Sequence, residues 1–207
     1  MRNKILIFGF PHSGTTILRK VFGQCSNVYA HPEERMRIEN VKQNYKYTCV
    51  KWPHFLEKFL TSEYSDYIKI FILRDPRYVF SSLNRRKKYS KKYHTIEYWD
   101  KTSKYFLENK QTKKCETLLY SEMFDNNFKV LKDIFEKYEI CYNEKTFLTQ
   151  KEDLSKPKPT EHIKFRRWQI NQAFENMNYP EKIQLTPQQE KKILNLETYK
   201  KLFKELK

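Results

Sequence analysis

A chain of 207 residues is long enough for one domain with a full core and too short for a second catalytic domain. Lys and Arg total 41 against 25 Asp and Glu, a formal charge of +16, which favours an anionic partner: a nucleotide, an acidic glycan, a nucleic acid or a membrane surface. Cys25, Cys49, Cys115 and Cys141 stand far apart with no Cys-x-x-Cys pair and no partnered His spacing, which argues against a zinc site or a disulfide framework and for a reducing, cytoplasmic setting.

The N-terminal apolar run Ile5 to Phe10 is too short for a signal-peptide core or a membrane span, so a soluble protein is expected. Within it, Ile5-Leu6-Ile7-Phe8 between Lys4 and Gly9 has the unbroken apolar character of a strand buried on both faces of a parallel sheet. Residues 15–23 follow with helical spacing at Ile17, Leu18, Val21 and Phe22, and the adjacent Glu33 and Glu34 suit the start of a further helix. Strands are expected at Thr48 to Trp52, Ile68 to Leu73 and Glu116 to Tyr120, and helices at 54–63, 77–88, 96–109 and 122–138. In the last of these, Phe128, Leu131, Phe135 and Tyr138 form a core-facing stripe.

Lys156-Pro157-Lys158-Pro159-Thr160 resists regular structure and separates the sheet domain from a helical tail, because each proline lacks an amide donor and restricts its predecessor. In that tail Thr186, Pro187 and Gln189 supply an N-cap, an N1 proline and a capping-box partner, and Tyr199, Leu202, Phe203 and Leu206 a docking face. Alternating strands and helices predict an α/β fold in which a mostly parallel sheet is flanked by helices, with ligands at the carboxyl ends of the strands. Residues 1–155 form the core in this reading, and 156–207 the connection and helical C-terminal part of the same domain.

Two of the chain's three glycines flank the loop Gly9-Phe10-Pro11-His12-Ser13-Gly14-Thr15-Thr16. A strand that turns sharply into a helix leaves amide NH groups without intrahelical partners, and these suit a phosphate or sulfate. Glycine allows close approach of the backbone, while Ser13, Thr15 and Thr16 add hydroxyl donors. The spacing is that of Gly-x4-Gly-Lys-[Ser/Thr], but Thr15 stands where that motif has its lysine, which counts against ATP or GTP chemistry.

Pro11 to Thr16 resemble the phosphosulfate loop of the sulfotransferases, Pro-[Lys/Arg]-Ser-Gly-Thr-Thr, in every position except His12. Arg74 at the end of the strand Ile68 to Leu73, with Ser82 eight residues later, resembles that family's 3′-phosphate motif, and a guanidinium fork with a hydroxyl is a suitable pair for a terminal phosphate. Arg77, close by, reads equally well as a solvent-facing residue. Weaker likenesses lie at Leu118 to Met123 and at Arg166-Arg167-Trp168, whereas the C-terminal glycine-bearing motif of the cytosolic small-molecule subgroup has no counterpart, since no glycine follows Gly23.

The resemblance implies a P-loop-like three-layer fold and transfer of a sulfuryl group from 3′-phosphoadenosine 5′-phosphosulfate (PAPS), without a metal, to a hydroxyl or amine. Pro11, His12, Ser13, Gly14, Thr15, Thr16, Arg74 and Ser82 would bind the donor. His12 would support the departing phosphate, either protonated or as a neutral hydrogen-bond donor.

Two residues compete for the role of base. His31-Pro32-Glu33-Glu34-Arg35 resembles the Gly-Glu-Glu-Thr-Arg stretch of tyrosylprotein sulfotransferases, which points to Glu34. Val50-Lys51-Trp52-Pro53-His54 resembles the strand-end Lys-x-His of small-molecule sulfotransferases with the His one residue late, which points to His54. Lys51 serves either as a cation near the transferring group. The acceptor is hydroxyl-bearing, whether a saccharide, a peptide tyrosine or a small molecule, and basic aromatic segments at 85–105 and 162–168 can receive it.

A second reading is a P-loop phosphotransferase with Asp75 as the acidic magnesium ligand. A third is a nucleic-acid binder, which would use Tyr89, Tyr93 and Tyr98 interleaved with lysines, but no recognition motif for a specific nucleic acid accompanies them.

Overall fold

A computed structural model describes residues 3–86, 92–112, 115–147 and 174–203. The expected proline-containing connection at 156–160, Arg166-Arg167-Trp168, Tyr89 and Leu206 lie outside the described residues. Five strands, β1 (Lys4–Gly9), β2 (Val28–Glu34), β3 (Tyr47–Trp52), β4 (Tyr67–Leu73) and β5 (Glu116–Leu119), form one sheet in the order β2-β3-β1-β4-β5. Every pairing is parallel. All five carboxyl ends therefore share one edge.

Among the described residues the helices are α1 (Thr15–Gly23), α2 (Pro76–Arg86), α3 (Ile96–Thr112), α4 (Lys129–Lys137), α5 (Pro187–Leu194) and α6 (Glu197–Phe203). The alternation of side chains along β1 divides the core into two layers. Leu6 and Phe8 join Phe71 and Leu73 beneath α2 (Val79, Phe80, Leu83), α3 (Trp99, Phe106) and the C-terminal helices (Ile193, Tyr199, Phe203). Ile5 and Ile7 join Ile70 and Ile72 beneath α1 (Leu18, Val21, Phe22) and α4 (Leu131, Ile134, Phe135). The result is the expected α/β three-layer arrangement with a helical C-terminal part.

Three local expectations change. Residues 54–63 form two short 3-10 turns, Glu57–Leu60 and Ser62–Tyr64, rather than a helix. The helix expected over 122–138 is split into a 3-10 turn at Ser121–Met123 and α4, because Asn126, Asn127 and Phe128 all take positive φ, a left-handed turn that no right-handed helix can traverse. The pair Glu33-Glu34 ends a strand instead of starting a helix. That strand, β2, has no alternating apolar pattern; it runs along the sheet edge, where Pro32 is tolerated.

The C-terminal helix start is as expected. Thr186 accepts from the Gln189 amide, and the Gln189 side chain accepts from the Thr186 amide in return. The four cysteines are unpaired, and burial pushes the Cys25 and Cys115 thiols up to about 12. No helix among the described residues is long and apolar enough to cross a membrane.

Candidate active site

The loop after β1 leads into α1 on one face of the sheet, whereas the segment after β4 leads into α2 on the other. Between the ends of these neighbouring strands lies the crevice in which open α/β sheets bind ligands. The loop's shape follows from its residues. Pro11 takes the second position of a turn closed by the Ser13 amide donating to the Phe10 carbonyl at 3.1 Å, and His12 takes the third with φ of 67°. A proline followed by positive φ is the pattern of a type II turn.

Gly14 then opens α1 with φ of 97°, and a Cβ there would lie 2.5 Å from the Tyr120 ring. Only glycine meets both conditions. Gly9 is equally constrained, since its Cβ would fall 2.0 Å from the Ile72 carbonyl oxygen of β4. The loop is thereby pressed against β4 and β5. The first helical hydrogen bond of α1 is donated by Leu18 to the Gly14 carbonyl, so the amides of Thr15, Thr16 and Ile17 have no carbonyl one turn earlier.

Pro11, Ser13 and Thr15 are buried, and His12, Gly14 and Thr16 are half-buried. The Ser13 hydroxyl is fully buried and has no hydrogen-bond partner among the described residues. A buried hydroxyl without a partner costs on the order of 1–3 kcal/mol, which an anion seated in the loop would offset. On this observation the residues present fit a phosphate or sulfate group.

Arg74 and Ser82 meet the loop. His12 Nδ1 and Ser82 Oγ share a hydrogen bond of 3.2 Å, and Arg74 Nη1 donates to the His12 carbonyl at 3.5 Å. Arg74 also donates through Nε to Asn178 Oδ1 at 2.7 Å and through Nη2 to the Met177 carbonyl at 2.9 Å, while its guanidinium lies 4.2 Å from the centre of the Tyr120 ring. Burial pulls this guanidinium below arginine's ordinary value, and the neighbouring Tyr120 and Asp75 oppose the shift. With five N–H groups, Arg74 retains donors beyond these three bonds.

Tyr120, Met177 and Asn178 were not among the expected site residues. Tyr120 joins the parts: its ring backs Gly14 and Arg74, its hydroxyl donates to the Glu175 carbonyl at 3.3 Å, and it accepts from the Met177 amide at 3.2 Å. Its place at the end of the strand expected over Glu116 to Tyr120 was the one signal available in the sequence. Met177 and Asn178 carried none, since they meet Arg74 across about a hundred residues of chain.

Arg77 is not a free solvent residue. Its side chain binds both oxygens of the buried Asp75 carboxylate, with Nη2 at 2.6 Å from Oδ2, and the Arg77 amide donates to Oδ1 at 2.8 Å. Asp75 thus caps α2, and the bond to Asp75 raises Arg77 above arginine's ordinary value. A carboxylate held in this way must break an ion pair before it can serve as a magnesium ligand.

Glu34 and Lys51 come together at the ends of β2 and β3 as an ion pair of 2.7 Å, with side chains 19% and 4% exposed. The pairing depends on a bulge: from Ala30 to Glu34 β2 advances four residues while β3 advances only from Cys49 to Lys51. His54 lies after β3 in an aromatic group, 4.9 Å from the Tyr93 ring centre and 6.1 Å from Trp52. All the expected site residues therefore lie along the carboxyl edge. They fall into three groups: the loop with Arg74 and Ser82, the Glu34–Lys51 pair on the neighbouring strands, and His54 with its aromatic neighbours.

No family model matches the sequence, and no curated protein matches it. Solved structures do share its fold. A crystal structure of mouse sulfotransferase SULT7A1 complexed with PAP aligns over 100% of this chain and 86% of its own, with TM-score 0.61 at 17% identity. The sulfotransferase domain from the Curacin biosynthetic pathway aligns over 100% and 98%, with TM-score 0.57 at 12% identity. The sulfotransferase domain from the Synechococcus PCC 7002 olefin synthase aligns over 88% and 90%, with TM-score 0.52 at 14% identity. At these identities the likeness shows a shared fold and nothing further.

Proposed function

We propose that the chain is a PAPS-dependent sulfotransferase. One observation carries the reading: Arg74 and Ser82, some sixty to seventy residues from His12 in sequence, are each hydrogen-bonded to it at the crevice between β1 and β4. A nucleotide carrying charge at both its 5′ and 3′ positions needs two anion sites side by side, and the loop and the Arg74–Ser82 pair are two such sites. The solved relative with PAP bound shares this fold.

In this reading the amides of Thr15 and Thr16, with the hydroxyls of Ser13, Thr15 and Thr16, hold the 5′ end of the donor, and Arg74 and Ser82 hold the 3′-phosphate. The donor supplies the activated sulfuryl group. His12 offers a hydrogen bond to the leaving phosphate, while Glu34 or His54 takes the proton of the acceptor hydroxyl. Lys51 holds the Glu34 carboxylate in place. The acceptor is a saccharide, a peptide tyrosine or a small hydroxyl compound, and a cytoplasmic location belongs to the same proposal. Residues 1–155 and 156–207 form one domain, supported by the docking of α5 and α6 on α2 and α3.

The test is thermal denaturation with adenosine 3′,5′-bisphosphate and with adenosine 5′-monophosphate. The bisphosphate should raise the Tm by several degrees more, since a ligand at about 100 times its Kd adds about 2.7 kcal/mol, and Ser82→Ala should narrow the difference. Equal shifts would remove the assignment of Arg74 and Ser82. A shift only with magnesium ATP would move the protein to the phosphotransferases.

A further inference from the structure

Three of the chain's five histidines gather at the carboxyl edge of the sheet, each from a different segment: His12 from the loop after β1, His54 from the stretch after β3, and His94 from the residues before α3. The His94 ring stands edge-on to His12, with centroids 6.1 Å apart and planes at 82°. It lies nearly parallel to His54, at 6.4 Å and 19°. His94 therefore bridges the loop and the β3 side of the site. No three His, Cys, Asp or Glu side chains among the described residues are placed to hold one metal ion.

The loop Gly9 to Thr16 contains no Lys or Arg. Among the described residues, cations on the elements around it have partners: Lys51 binds Glu34, Arg77 binds Asp75, Arg19 donates to the His31 carbonyl, Arg85 to the Lys182 carbonyl, and Arg74 to Asn178 and to the carbonyls of Met177 and His12. Lys92 lies over the Tyr93 ring, at 5.1 Å from its centre. Of these neighbours Trp52 has no titratable group, and Ser82 can donate or accept. Among the described residues, a dianion in the loop would face the Arg74 guanidinium and the His12 imidazole, with the His94 ring beside His12, and imidazoles ordinarily titrate near pH 6.5.

We infer that His12 and His94 form one protonatable counter-charge for the anion held in the loop, with His94 the positioning residue beside His12. The inference rests on the proposal that the loop holds a 5′-phosphate group. A dianion favours the protonated imidazole, so binding takes up protons from solution. By linkage, affinity is then greatest at low pH and is lost as pH rises, up to about tenfold per pH unit for each proton taken up. The same charge would stabilise a phosphate leaving group.

The experiment is calorimetric titration of the full chain with adenosine 3′,5′-bisphosphate at pH 7.5, in buffers of different ionisation enthalpy, repeated at pH 6.5 and 8.5. At pH 7.5 the ligand phosphates are already mostly dianionic, with a second pKa of about 6, so uptake reports on the protein. The expected result is net uptake of roughly half a proton or more, with affinity falling at least about threefold from pH 7.5 to 8.5. His94→Gln should reduce the uptake and flatten the pH dependence, and His94→Lys should recover affinity at pH 8.5 without restoring the uptake. Binding without uptake, or uptake unchanged in His94→Gln, would overturn the counter-charge while leaving the nucleotide site intact. Absence of binding at every pH would overturn both.

Discussion

His12 is the residue at which conformation and chemistry conflict. Its φ of 67° is left-handed, which costs an L-residue about 1–2 kcal/mol, yet its side chain and carbonyl are what Ser82 and Arg74 hold. His12→Gly should relieve the backbone and His12→Ala should not, so urea unfolding should find the glycine variant more stable than the alanine variant by about 1 kcal/mol. Both variants lose the imidazole, so neither should show the activity of the parent if His12 assists the leaving group. Pro11, Ser13, Gly14 and Thr16 were readable as an anion loop from residue type alone, because turn geometry and amide exposure are local properties. The partners of Arg74 were not, since Asn178 and the Met177 carbonyl reach it only in the folded chain.

At the scale of elements, the Glu34–Lys51 pair couples the edge strand β2 to β3 at the point where the bulge restores the register. Removing one member of a largely buried pair costs more than the pair contributes, because the remaining charge loses its compensation. Glu34→Ala should therefore lower stability by about 3 kcal/mol, and Glu34→Ala combined with Lys51→Met should recover a good part of it, as read from urea midpoints. If Glu34 is the base, Glu34→Gln should reduce kcat by at least about a hundredfold while the protein stays folded at the assay temperature. A loss of activity that only follows the loss of stability would assign Glu34 a structural role and leave His54 as the base. β1, β3, β4, β5 and the capped start of α5 were legible in sequence, since each has an apolar run or a capping signature. β2 was not: an edge strand that contains a proline and two glutamates has neither.

Across the whole molecule, α5 and α6 are part of the main core. Ile193, Tyr199 and Phe203 are buried with Trp99 and Phe106, and Phe203 lies 6.2 Å from the Trp99 ring centre. Phe203→Ala should cost about 3–5 kcal/mol and shift a single denaturation transition to lower urea; two transitions, with the main one unmoved, would mean that the C-terminal part folds independently. Sequence alone determined the class of fold, because alternating apolar runs and amphipathic stretches have one economical solution, a parallel sheet covered on both faces. It also determined the loop after β1, because glycine, proline and hydroxyl residues act over a few bonds. Only the tertiary structure decided which cations are committed to carboxylates, that Tyr120 backs the loop, and that His12, His54 and His94 stand together. Those contacts join segments tens of residues apart, and side-chain charge and packing find their partners only when the strands are set side by side.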